Sequence, residues 1–179
     1  MKPSNHVLVD ACVARSVSER NSGKLANTHQ VLLSLRAGNI GVCMTPELQA
    51  EWEKHATRFM TRWLTNMEQR CRVRRERDRR IADLRESIVK FVTQEEKREV
   101  ILKDVHITEA AIFFQVAVFS FDDTQRRVLS ELHVHYERLG GVQWFNPESD
   151  GQPSLEWLRG GGHDAKACQI AKFGYKAAC

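Results

Sequence analysis

The chain has no run of about 18 apolar residues, the length a membrane-spanning helix needs. Asp10 interrupts the N-terminus before a signal-peptide core could form. Membrane insertion and secretion are therefore disfavoured, and the expected compartment is the cytoplasm. The five cysteines (Cys12, Cys43, Cys71, Cys168, Cys179) include no Cys-x-x-Cys pair, and their odd number and wide spacing argue against both a disulfide framework and a zinc site. No internal repeat is visible. Nor is there a large excess of either charge, the net being +4.

What is present fits one folded domain: 179 residues, 20.6 kDa and 42% apolar content. The basicity is local. Residues 70–80 carry seven arginines against Glu76 and Asp78, a net +5, so the rest of the chain sums to −1. Short apolar runs alternate with helical patterns. Residues 6–10 read as a buried strand ending in Asp10, 24–37 as a helix closed by Gly38, and 40–44 as a second strand. Thr45-Pro46-Glu47 starts a helix with a capping hydroxyl, a proline that has no N–H to lose and a first-turn acid. That helix, apolar at Leu48, Trp52, Phe59, Trp63 and Met67, is expected to run on or break once through the arginines. A further stripe (Ile81, Leu84, Ile88, Val89, Val92) leads to Thr93-Gln94-Glu95-Glu96, which reads as a capping box for a short helix.

Residues 100–123 organise the rest. They read as Asp104 opening a short apolar helix, a buried strand at 116–120, and Asp122 just past the strand's carboxyl end. A helix over 124–139, a last strand over 142–145, a turn near 153–158 and a flexible tail over 159–179 complete the reading. Strands alternating with helices imply an α/β fold, a central parallel sheet covered on both faces. In such sheets ligands bind beyond the carboxyl ends of the strands. Asp10, Asp104 and Asp122 can converge there, and the first helix after strand two offers Glu47 and Glu51, four apart and so on one face. Glu47 has a structural use in the first turn, which leaves Glu51 as the better fourth acid. Carboxylates gathered in one place call for a hard divalent cation.

Four stretches in order, Val-Leu-Val-Asp10-Ala-Cys, Thr45-Pro46-Glu47-Leu-x-x-Glu51-Trp52, Lys103-Asp104-x-His-x-x-x-Ala-Ala111 and Ser120-x-Asp122-Asp123, resemble the motifs of the PIN domain family, and with Trp144-Phe-Asn-Pro and Trp157-Leu-x-x-Gly they resemble an uncharacterised bacterial branch of it. The resemblance covers about residues 5–147, with the domain expected over 1–158. It implies a three-layer α/β/α sandwich and a Mg²⁺- or Mn²⁺-dependent ribonuclease. Asp10, Glu51, Asp104 and Asp122 would be the acidic quartet, with Asp123 an alternative to Asp122 as ligand, and Ser120 would hydrogen-bond the first acid. The helical region near 53–100 is longer and more basic than in small toxin members of the family.

RNA, single-stranded or structured, is the expected substrate, with Arg70, Arg74, Arg75 and Arg79 as two basic rows along a helix that could follow its backbone. The apolar helix over 48–67 can serve a homodimer contact or finish the core, and an inhibitor or antitoxin-like protein is a further candidate partner. The competing readings are a PIN-fold module that binds nucleic acid or protein without turnover, and a metal-dependent phosphatase or DNA nuclease. His106 is expected to pack, His133 and His135 fall on different sides of a helix, the four tryptophans belong to the core, and Cys12 lacks the partners of a thiol nucleophile.

Overall fold

The computed structural model describes residues 5–17, 26–162 and 166–173. Among these residues five short strands, β1 (His6–Val9), β2 (Gly41–Met44), β3 (Val73–Arg75), β4 (Ala117–Phe119) and β5 (Trp144–Phe145), form one sheet in the order β3-β2-β1-β4-β5. Every pairing is parallel. Among the described residues eight α-helices connect and cover it: α1 (Ala11–Ser16), α2 (Ala26–Ala37), α3 (Pro46–Lys54), α4 (Arg58–Gln69), α5 (Ala82–Phe91), α6 (Glu95–Phe114), α7 (Asp123–Leu132) and α8 (Gly151–Arg159). Helices α1 to α4 and α8 pack among themselves, as do α5 to α7. The result is the α/β/α sandwich expected from the alternating pattern.

The three inner strands are apolar on both faces because helices cover both. Phe119 stacks on Phe145 at 5.1 Å, Trp157 meets those two rings at an angle at 6.0 and 5.1 Å, and all four tryptophans are buried. Trp52 and Trp63 also tie helices to backbone: the Trp52 indole N–H donates to Val9 O and that of Trp63 to Leu32 O. The apolar face of α3 and α4 (Leu48, Trp52, Met60, Trp63, Met67) is therefore part of the monomer's core. Among the described residues no helix is long and apolar enough to cross a membrane.

Several sequence expectations are corrected. The helix over 48–67 is two helices, because Thr57 caps a new start by accepting the Met60 amide on its hydroxyl. The arginine stretch is not helical: it contains β3, the sheet's edge strand, so the residues expected as two helical rows do not share a helix face. Asp104 does not open a helix but lies inside the 20-residue α6, which starts after Gln94 without a side-chain cap and ends where Gln115 turns left-handed at φ 54. Helix α7 stops at Leu132 and the turn near 153–158 is a full helix, α8. Of the tail expected to be flexible, residues 166–173 pack on the body: Ile170 is fully buried, its amide bonds Val142 O, and Ser130 Oγ donates to Phe173 O. Lys24 and Leu25, assigned to the second helix from sequence, lie outside the described residues.

Candidate active site

The sheet order places the site. From β1 the chain leaves toward β2 on one side, whereas β4 lies on the other, so the carboxyl ends of β1 and β4 flank the point where connections diverge, the usual crevice of a doubly wound sheet. Asp10 follows β1 and Ser120 follows β4. Asp10 caps α1, its Oδ1 accepting the Cys12 amide at 3.0 Å. Its Oδ2 accepts the hydroxyl of the fully buried Ser120 at 2.6 Å, the contact expected for that serine. Ser120 Oγ in turn accepts the Asp122 amide at 3.1 Å, and Asp122 Oδ1 caps α7 by accepting the Gln125 amide at 2.7 Å.

Gln125, which sequence reasoning missed, links this group to α6. Its side-chain amide donates to Asp104 O at 3.3 Å and lies 3.4 Å from Thr108 Oγ1. Burial of Gln125 among the apolar positions of α7 left no signal in the sequence. Asp123 belongs to a different network: Asn146 Nδ2 donates to its Oδ2 at 2.9 Å, and the Arg126 guanidinium, bound to Asp150 at 2.5 Å, lies 3.9 Å from its Oδ1.

Across from this group stand α3 and α6. His106, almost fully buried, has Nε2 3.7 Å from Glu51 Oε2 and Nδ1 3.9 Å from Glu47 Oε1. Those are ion-pair distances, beyond hydrogen-bond length, and both ring nitrogens lack a hydrogen-bond partner. Burial alone would depress the His106 pKa, but Glu51, Glu47 and Asp104 outweigh it and the net shift is upward. Glu51 is lowered, first by His106, with His106, Lys103 and His55 adding charge against the opposing effect of burial. Asp104 is raised, first by burial and then by the negative charges of Glu51 and Asp10, with Lys103 and His106 partly opposing. The three acids Asp10, Glu51 and Asp104 thus share one electrostatic environment, and Asp122 is joined to Asp10 through Ser120.

The donor set suits a hard cation by chemistry, carboxylate oxygens being the ligands that Mg²⁺ and Mn²⁺ take. By position it is not closed: among the described residues no group of three or more His, Cys, Asp or Glu side chains could hold a metal ion as they stand. Burial and the neighbouring Asp10 push the Cys12 thiol up to about 12, which disfavours the thiolate a nucleophile needs.

The arginines expected to bind substrate are divided. Arg70 Nη1 donates to Arg36 O at 2.9 Å, and Arg75 is engaged by Glu68 and Gln49. Arg74 pairs with Glu76 at 3.2 Å and lies over the Phe114 ring, whereas Arg79 is exposed and lies over Phe113. No family model, curated protein or solved structure matches the chain.

Proposed function

We propose that the acid-lined edge binds Mg²⁺ or Mn²⁺ and hydrolyses RNA phosphodiester bonds, in the manner of the PIN-like proteins the motifs resemble. The observation that carries this reading is the Asp122 amide–Ser120 hydroxyl–Asp10 chain at the switch point of the sheet, with burial, Glu51 and Asp10 together opposing the ionisation of Asp104. Asp10, Asp104, Glu51 and Asp122 would hold the metal. A divalent cation supplies the positive charge that activates water at neutral pH and offsets the charge developing on phosphate.

The chain's own groups do the rest. Ser120 fixes the Asp10 carboxylate so that one oxygen stays committed to the hydroxyl, and Gln125 holds α6 against α7 so that Asp104 keeps its depth. Glu51 must turn from His106 to complete the set; until then the two lie 3.7 Å apart, an arrangement that favours the protonated imidazole and the ionised carboxylate.

Labelled RNA should be cut in Mn²⁺ or Mg²⁺ but not in EDTA. Asp10→Asn and Asp122→Asn proteins confirmed to be folded should fall to background. Equal cutting by wild type and both variants would refute the site. The runner-up, a PIN-like nucleic-acid or protein binding module without turnover, is favoured by one feature, that no three described acids converge closely enough for a metal. RNA binding without cutting in any metal would select it.

A further inference from the structure

The excess charge of the chain is concentrated in residues 70–80, and the structure sorts those arginines into engaged and available ones. Arg70, Arg72 and Arg75 bond carbonyls or carboxylates of neighbouring segments, and Arg74 pairs with Glu76. The other acid of the stretch, Asp78, accepts the Glu47 amide at 3.2 Å. Arg77, Arg79 and Arg80 are exposed and make no salt bridge among the described residues. Three cations therefore follow one another along a segment in which Glu76 is ion-paired and Asp78 is turned to a backbone amide.

That segment has a defined course. It begins beside the acid-lined edge, since Asp78 bonds the first turn of α3, where Glu47 approaches His106. It ends at Ile81, whose amide donates to the buried Glu109 of α6 at 2.8 Å. One helical turn beyond Glu109 is Phe113, about half exposed, an aromatic ring on the outside of an otherwise well-buried helix end. The Arg79 guanidinium lies 4.5 Å from its ring centroid, and Phe114 meets it edge-on at 5.1 Å. A row of cations leading to a cation-capped aromatic has the composition of a single-strand platform: arginines take phosphates, and a base adds its π-face to the pile.

We propose that residues 76–80 together with Phe113 form a docking strip for single-stranded nucleic acid, running from α6 toward the acid-lined edge. Arg77 and Arg80 contact phosphates, and Arg79 with Phe113 receives a base. The strip is independent of whether the acids hydrolyse anything. It predicts binding in EDTA.

The test is equilibrium binding of short labelled oligouridylate, oligothymidylate and an RNA hairpin duplex in EDTA, over a range of salt, with each variant's melting temperature checked. Replacing Arg77, Arg79 and Arg80 together by Ala should lower affinity and reduce the slope of log K against log salt by about 1.4, the two phosphate contacts on a single strand contributing roughly 0.7 each. Phe113→Ala should cost roughly fivefold to a hundredfold without changing that slope, and Phe113→Trp should restore affinity. Binding of either single strand supports the strip, and the ratio of the two shows whether ribose is read. Unchanged affinity in the arginine variant, or a silent Phe113→Ala with duplex bound as well as single strand, would overturn it.

Discussion

Asp10 and Asp122 rest on hydrogen bonds of 2.6 to 3.1 Å to a hydroxyl and to backbone amides, whereas Glu51 and His106 face each other at 3.7 Å with no hydrogen bond between them. The first pair follows β1 and β4, adjacent strands whose ladder fixes how far apart their ends lie. The second pair is carried by helices α3 and α6, whose separation depends on side-chain packing. One side of the site is thus set by backbone and the other by electrostatics. A ligand of opposite charge would reorganise the second side and leave the first in place.

The largest effect on the helix-borne side should come from Glu109. It is almost fully buried, accepts the Ile81 amide, and binds the Arg85 guanidinium through both oxygens at 2.7 and 2.6 Å, anchoring α6 to the arginine segment. Removing one partner of a buried pair costs about 3–5 kcal/mol, and partial exposure of Arg85 places Glu109→Ala at the low end, read by denaturant unfolding. A loss under about 1 kcal/mol, the size of an ordinary hydrogen bond, would mean that α6 is held elsewhere.

Ser120→Ala strikes the backbone-set side. It leaves Asp10 with a free oxygen and should lower RNA cleavage by about 10- to 100-fold, as loss of a ligand-orienting partner does. Full activity in a folded Ser120→Ala protein would show that Asp10 needs no such support. Asp104→Asn should do the reverse to stability. Because burial and neighbouring acids oppose its charge, the neutral side chain should raise the melting temperature in metal-free buffer at neutral pH while abolishing stabilisation by metal.

The smallest effect is on pH dependence. His106 is raised above 6.5, so its contribution is fully present below pH 6.5 and lost as pH rises through its folded value. Glu51, lowered from 4.5, contributes above pH 4.5 and loses that contribution as pH falls through its folded value. His106→Gln should therefore flatten the decline in melting temperature above pH 6.5. An unchanged decline would remove His106 as the internal counter-charge.

Four of the five described strands and their order of appearance were legible because apolar runs bounded by Asp10, Thr45 and Asp122 are local signals, and the Ser120–Asp10 contact followed from the motif resemblance. The arginine segment was misread because a three-residue edge strand among arginines has neither apolar alternation nor a turn signal, while arginine favours helices in isolation. Asp104 was misplaced for a related reason: capping residues mid-helix are indistinguishable in sequence from those at a helix start. Gln125 and Glu109 were invisible because their partners lie 17 to 28 residues away, and only tertiary packing brings them together.

The most direct test of the acid-lined edge is calorimetric titration of Mn²⁺ into the wild-type, Asp10→Asn and Asp104→Asn proteins. The expected result is saturable binding in the wild type, lost in both variants, together with a rise in wild-type melting temperature. No binding in the wild type, or binding that both variants retain, would contradict the proposal that these carboxylates form a metal site.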